Sequence, residues 1–244
     1  MKSISDILKV TSHRPWPLPP GEWTYYQEWN NAIFLHWQID PDDIESLLPG
    51  SLQIDTIDGK AWISVVAFTM ERIRPRNLPA LTAISNFHEI NVRTYVFKDN
   101  KPGVYFLNIE AQKTLSVLIA KSLSGLPYEK ANISRTQDGN LFAYVSRNKL
   151  KNFNLDISYE IKDSADKKSY LDTWLTERYC LYADNKSTLF RYEIHHEEWN
   201  IKTIQVTKLN LRYQIGNLSI RERWPDIAHF SEGVKVLAWR REKL

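Results

Sequence analysis

Polar and apolar positions alternate along Phe87-His88-Glu89-Ile90-Asn91-Val92-Arg93-Thr94-Tyr95-Val96. As a strand, this segment sends Phe87, Glu89, Asn91, Arg93 and Tyr95 to one face. Ile90, Val92 and Val96 go to the other, with His88 and Thr94. The second face is core material. The first sets an acid, an amide and a base between two aromatic rings. Residues two apart on a strand are about 7 Å apart, so Glu89 and Arg93 are separated by roughly 13 Å and cannot easily satisfy each other. Each needs water, a cross-strand partner or a ligand. Two readings stay open from the pattern alone: a solvated sheet face with cross-strand ion pairs, or the polar inner wall of a barrel or cleft.

The same period recurs along the chain. Residues 32–39 alternate, with Ile33, Leu35, Trp37 and Ile39 on one face and Phe34, His36 and Gln38 on the other. Asp40-Pro41-Asp42-Asp43 reads as a helix start, with Asp40 as cap, Pro41 in first position and the acids at the positive end. Ile44, Leu47 and Leu48 give that helix a buried stripe, and Pro49-Gly50 stops it. Residues 52–57 and 61–70 flank Asp58-Gly59 and predict a hairpin, because both central positions of such a turn take positive φ. Residues 72–83 hold two prolines and read as a long loop; strands follow at 87–97 and 104–110.

In the second half, Leu115, Leu118, Ile119 and Leu123 recur at helical spacing, ended by Gly125 and Pro127. Strands at 131–134 and 141–147 flank the turn signal Asp138-Gly139. Residues 153–161 alternate as a strand, 162–169 read as a loop, and 170–175 as one or two helical turns. Strands at 178–183 and 189–196 pair across Asp184-Asn185-Lys186. Residues 201–211 fit strand or helix, and 233–239 close the chain as a strand. The sum is an antiparallel, strand-dominated α+β fold with two or three helices. Residues 1–24 read as an N-terminal extension and 25–244 as a single domain.

Composition narrows the function classes. The net charge of +3 comes from many charges of both signs with no Lys/Arg block, which argues against nucleic acid. One cysteine, Cys180, excludes an intrachain disulfide and a cysteine-based zinc cage. Only eight glycines occur and none builds a phosphate loop, so no nucleotide cofactor is expected. The N-terminus has a short amphipathic turn (Ile4, Ile7, Leu8, Val10) and then Pro15-Trp16-Pro17-Leu18-Pro19-Pro20. That is neither a signal peptide nor a membrane span, so a soluble, cytoplasmic chain is the expectation.

Several short motifs come in a fixed order: Phe34-Leu35-His36-Trp37, Leu47-Leu48-Pro49, Asp58-Gly59-Lys60-Ala61-Trp62, Asn91-Val92-Arg93-Thr94-Tyr95 and Pro102-Gly103-Val104-Tyr105-Phe106. Leu126-Pro127-Tyr128, Leu175-Thr176-Glu177-Arg178-Tyr179, His195-His196 with Trp199, and His229-Phe230-Ser231-x-Gly233-Val234 follow. From about residue 25 to 240 the chain resembles the YqjF-like family, a domain of unknown function distantly related to acetoacetate decarboxylase. The resemblance implies antiparallel sheets curled into a barrel-like body around a cone-shaped pocket, with Glu89 and Arg93 facing inward. It also implies a ligand-facing role for Glu89, since Phe87-x-Glu89 is similar to the aromatic-x-Glu of the decarboxylases.

One departure matters. The decarboxylases use a Schiff-base lysine in a Gly-Phe-Pro-Lys-Lys segment after a helix, kept reactive by a neighbouring cation. The similar segment here is Gly125-Leu126-Pro127-Tyr128-Glu129. Tyr128 stands at the lysine's place and Glu129 at the cation's. A phenol forms no imine, and an acid beside a lysine raises its pKa. Lys130 is one to two residues out of register, which turns its side chain away if the segment is extended. Schiff-base decarboxylation is therefore not expected.

Other candidates are weaker. His195 and His196 are adjacent, so a strand points them to opposite faces and they cannot easily share a metal ion. One ring is expected in a wall and the other outside, with His36 and His229 as candidates to meet one of them. Arg178 offers a fork for an anion or a structural salt bridge, to Glu89 or Glu193. Cys180, among apolar and aromatic residues, reads as an inert buried thiol.

These readings converge on a small-molecule-binding protein without cofactor, metal, nucleic-acid or membrane partner; a homo-oligomer stays open. Arg93 or Arg178 would meet a polar or anionic head, and Glu89 and Asn91 would orient it. Phe87, Tyr95, Tyr128 and Trp37 would form the apolar walls, with His36 and His196 close by. The alternative is an enzyme in which Glu89, near Tyr128 or a histidine, moves protons, as in an isomerase or lyase. A third is a scaffold with an exposed Trp-rich surface.

Overall fold

The alternating segments become strands, and the longest of them coil until their ends meet. A computed structural model of the chain describes residues 3–81, 85–113, 126–162, 167–185 and 188–244. Among the described residues there are three helices: α1 (Ile4–Lys9), α2 (Asp42–Glu45) and α3 (Tyr170–Thr176). The strands are β1 (Tyr25–Ile39), β2 (Gln53–Ile54), β3 (Ala61–Pro75), β4 (Phe87–Lys98), β5 (Lys101–Ala111), β6 (Tyr128–Lys130), β7 (Asn132–Asp138) and β8 (Leu141–Asn148). They continue as β9 (Phe153–Ile161), β10 (Cys180–Asn185), β11 (Thr188–His195), β12 (Ile201–Ile215), β13 (Leu218–Arg221), β14 (Ile227–Ala238) and β15 (Glu242–Lys243). The predicted helix at 114–124 lies outside the described residues.

Strand neighbours run β11-β10-β5-β4-β3-β1-β14, and β11 then pairs with β14 through Ile194–Ala238 and His195–Leu237. The sheet thus closes into a ring. Most pairings are antiparallel; β10 and β6 run parallel to β5. A second layer, β12-β9-β8-β7, leaves the ring where Ile201, Lys202 and Thr203 pair with Ser231, Phe230 and His229.

Strand parity sorts the apolar residues into two cores. Phe34, Val66, Phe68, Phe87 and Val236 gather inside the ring. Ile33, Leu35, Trp37, Ile63, Val65, Ile90 and Val92 face outward and pack on Tyr144, Leu155, Ile157 and Tyr213 of the second layer. The wall of the ring is therefore buried on both faces, which is why β3 reads as the nearly unbroken apolar run Ala-Trp-Ile-Ser-Val-Val-Ala-Phe.

A bulge helps β1 coil. Asn31 takes φ 51° where the pairing of β1 with β3 slips between Asn30 and Ile33. Gly233 pairs with Asn30 there, at φ 136°. A Cβ on Gly233 would sit 2.4 Å from the carbonyl oxygen of Trp29.

Three local expectations are corrected and one open reading is resolved. The 52–57/61–70 hairpin does not form, because β1 and β4 already occupy both edges of β3. Gln53 and Ile54 pair instead with Phe97 and Val96 of β4, leaving an isolated bridge from Ile57 to Lys60. Residues 72–75 belong to β3 rather than to a loop. Asp40 does not cap α2, whose N-cap is Pro41 without a side-chain hydrogen bond; it accepts a hydrogen bond from Lys60 Nζ at 2.6 Å. The ambiguous 201–211 segment is strand and extends to Ile215.

The N-terminal extension packs on the ring. Ser3 and Asp6 close a capping box on α1. Ile7 is buried with Trp23, Tyr26, Leu237 and Trp239.

Alanine at Gly233 combines a strained φ with a backbone overlap. Gly233→Ala is expected to lose about 2–4 kcal/mol of stability, read from the urea midpoint. A wild-type midpoint would show that the bulge is not a fixed point of closure.

Candidate functional site

The interior of the ring is not filled. It holds a cavity of about 570 Å3, within the range that encloses a small organic ligand. Phe87, Glu89, Asn91 and Arg93 of β4 line it, beside Val66, Phe68 and Met70 of β3 and Trp29 and Phe34 of β1. Tyr128, Arg178, His196 and Trp199 complete its inner part. The register explains the grouping: Phe87, Glu89, Asn91 and Arg93 pair with Met70, Phe68, Val66 and Ser64. Cross-strand pairs share a face, so the polar stripe of β4 lies against an apolar one.

Glu89 is only 3% exposed. Tyr128 Oη donates to Glu89 Oε2 at 3.0 Å. Burial pushes the Glu89 carboxyl up to about 8, against the pull of hydrogen bonds from Tyr128 and Asn91. The group is mostly protonated at neutral pH. Tyr128 is itself held well above the usual phenol range, by burial and then by the neighbouring Glu89.

Arg93 lies deeper. Its Nη2 donates to Leu175 O at 3.2 Å, at the C-terminal end of α3. Its guanidinium sits 5.8 Å from the ring centres of both Phe34 and Tyr95. Its Nε is buried without a hydrogen-bond partner, and no carboxylate among the described residues forms an ion pair with it. Asn91 Oδ1 is likewise buried and unpartnered.

Arg178 is the second buried cation. It pairs with Asp55 at 2.5 Å, not with Glu89 or Glu193, because Asp55 follows β2 onto that end of β4. Its Nε donates to Trp174 O at 2.8 Å, and its guanidinium stacks 4.3 Å from the Trp174 ring and 4.9 Å from the Tyr95 ring. Burial lowers its pKa against the attraction of Asp55. Its Nη2 has no partner.

Three sequence candidates stand elsewhere. Trp37 faces the outer core, as its shared parity with Ile33 and Leu35 requires, and its Nε1 donates to Arg223 O at 3.0 Å. Tyr95 and His36 point inward but lie beneath the cavity surface, both fully buried. Tyr95 Oη donates to Leu175 O at 2.9 Å, and Ser64 Oγ lies 2.6 Å from both Tyr95 Oη and His36 Nδ1. His36 packs edge-on to His229 at 5.5 Å rather than against His195 or His196. Its pKa falls well below the usual histidine value, first through burial and then through His229 and Arg93.

The adjacent histidines part as strand geometry demands, with a correction. His196 lines the cavity, and its Nδ1–H donates to Glu197 O at 2.7 Å. His195 is not outside but fully buried under the N-terminal segment. Its Nε2–H donates to Ile7 O at 2.9 Å, and Arg14 Nη1 lies 3.4 Å from its Nδ1. Burial pushes it down to about 4. The covering residues were hidden by a Pro-rich stretch whose docking has no periodic signature.

Cys180, at the cavity edge, is pushed up to about 11 by burial, which keeps it a thiol. Lys130 is exposed, and Glu129 pairs with Lys151 at 3.4 Å. No lysine lines the cavity among the described residues. No group of three or more His, Cys, Asp or Glu among them is arranged to hold a metal ion, and no described helix is long and apolar enough to cross a membrane. Sequence reading missed Phe34 and Phe68 as walls and Asp55 as the partner of Arg178. Phe34 was recoverable from its parity; Asp55 depends on a long-range pairing.

This closed, coiled sheet is an acetoacetate-decarboxylase-like fold. Acetoacetate decarboxylase from Legionella pneumophila matches it with a TM-score of 0.65 over 96% of this chain and 94% of that one, at 13% identity. The enduracididine biosynthesis enzyme MppR, in its complex with pyruvate, matches with a TM-score of 0.63 over 94% and 93% of the two chains, at 12% identity. Within that fold, residues 26–235 match the family of uncharacterized conserved proteins DUF2071, and the chain belongs to it. The uncharacterized protein YqjF of Bacillus subtilis (strain 168) is 34% identical over 227 residues, covering 91% of this chain and 93% of YqjF.

The Glu89 shift has a measurable consequence. From the ordinary 4.5 to about 8, the native state keeps a proton that the unfolded state has released. Stability therefore falls as pH rises through that window and levels off above it. Glu89→Gln is expected to be more stable than the parent at about pH 9, by on the order of 5 kcal/mol, with the gap closing near pH 4. Urea unfolding at both pH values checks this, and a pH-independent gap would contradict it.

Proposed function

We propose that this chain binds a small organic acid in the ring cavity. The acid group meets Arg93, Glu89 and Asn91 orient the polar end, and the hydrocarbon part lies among Phe34, Phe68 and Phe87. One observation carries the reading: a buried guanidinium on the cavity wall, with an orphaned Nε and no described acid paired to it, on the same strand face as a carboxyl group held neutral. A buried cation without a counter-ion is costly, and an anionic ligand supplies one. The apolar walls match the other half of such a molecule. The acetoacetate-decarboxylase-like fold of enzymes such as MppR, crystallised with pyruvate, is compatible with a cavity for small acids.

Calorimetric titration with short- and medium-chain carboxylic acids tests this. Binding is expected, and Arg93→Gln is expected to weaken it by about tenfold or more. An Arg93→Gln protein that folds and binds the same acids equally well would remove the reading.

A second reading has its own support. Glu89 at about 8, in contact with Tyr128, is poised to exchange a proton with a bound molecule. Below that pH it serves as an acid and above it as a base, so enolisation at the carbon next to a bound carbonyl is the fitting reaction class. Deuterium exchange at that carbon, followed by NMR, is expected to rise with pH to a plateau above about 8 and to vanish in folded Glu89→Gln. Exchange that persists in the variant would leave the binding reading alone.

A further inference from the structure

Guanidinium groups stand at both ends of the cavity, and strand register fixes which end is which. At the inner end His36 pairs with Ser64, and Ser64 with Arg93. At the outer end Tyr25 pairs with Pro75 on one side and Ala238 on the other, and Ala238 pairs with Ile194. Arg74, Arg240 and Arg241 line the cavity there. Ser64 and Arg74 are ten positions apart on β3, about 30 Å of strand contour, which coiling shortens in space. Arg240 and Arg241 are exposed and Arg74 is half-buried, so this end is a rim, whereas Arg93 and Arg178 form a floor.

Two of these rim arginines, Arg74 and Arg240, have no described carboxylate paired to them. The Arg74 guanidinium lies 4.8 Å from the Tyr26 ring centre and 6.0 Å from that of Trp23. The acids nearby have other partners: Glu22 holds Arg76 at 2.5 Å, Glu28 holds Arg72 at 3.3 Å, and Glu242 holds Arg191 at 2.6 Å. No carboxylate among the described residues forms an ion pair with Arg74 or Arg240. Above the floor come Asn91 and Glu89, and from there to the rim the wall is mainly apolar, with Trp29, Phe68, Met70, Ile73 and Phe87. Positive, neutral polar, apolar, positive is the order along the cavity.

We infer that the ligand is a two-headed amphiphile, with one acid group on the Arg93 floor, an apolar middle, and a second anionic group at the Arg74–Arg240 rim. The inference rests on the binding reading above and deepens it. Rim contacts are exposed and individually weak, but a positive mouth also concentrates anions. The rim therefore selects by length, because a second acid gains only when it reaches the mouth while the first is seated.

The test is titration of the full chain with a graded series of α,ω-dicarboxylates, each compared with the monocarboxylate of the same length. The dicarboxylate advantage is expected to peak at one length, at about tenfold, and to shrink as salt is raised. In the Arg74→Gln, Arg240→Gln double variant the best dicarboxylate is expected to fall to the level of its monocarboxylate. The substitutions lie at or near the surface, and an unchanged melting temperature would confirm that the fold is kept. Monocarboxylates that bind with no dicarboxylate advantage at any length overturn the rim subsite and leave the floor reading standing. An advantage that survives the double variant also overturns it. Binding of neither series overturns both.

Discussion

Ile194 pairs with Ala238 and His195 with Leu237, and these contacts turn a coiled sheet into a closed one. The chemistry of the interior follows from that closure. A polar stripe on an open sheet would be hydrated, and its charges would cost little. Inside a ring, Glu89, Asn91 and Arg93 lose water and must settle with what faces them. Across the interior they meet mainly aromatic and aliphatic side chains.

The two arginines settle differently. Arg178 has Asp55, a carbonyl and two aromatic faces, which together make a complete structural site with one nitrogen left over. Arg93 has a carbonyl and two rings. The acid on its own strand does not neutralise it, because separation along the strand and burial both act against an ionised Glu89. Desolvation outweighs the hydrogen bonds of Tyr128 and Asn91, so the carboxyl keeps its proton and the positive charge stays unanswered. Tyr128 fits that balance, since it gives a hydrogen-bond donor to Glu89 without adding a third cation.

Much of the ring wall could be read from alternation. Parity along 87–96 and 32–39 assigns each side chain to the inside or the outside, and Phe34 and Trp37 obey it; expecting Trp37 as an aromatic cavity wall runs against that parity. The 52–57 segment failed for another reason. Asp58-Gly59 is a genuine turn, with both residues at positive φ, but a turn signal cannot reveal that β3 is central and has no free edge. Asp55, His195 and the rim depend on contacts between residues far apart in sequence, for which local pattern carries no information. The depth of Tyr95 and His36 is likewise invisible, since parity gives direction but not distance from the surface.

The first residues of the chain are masonry behind the cavity rather than a tail. His13 Nε2–H donates to the carbonyl of His196 at 2.8 Å, and Arg14 Nη1 donates to that of Ile194 at 2.6 Å. Ile194 and His196 are themselves cavity wall, so the segment buttresses that wall from the rear. The family match spans only residues 26–235. A fragment cut to those limits would retain the stripe on β4 and Arg74 at the mouth, yet lose the buttress, Arg240 and Arg241, and the two residues, Leu237 and Ala238, that clasp the ring shut.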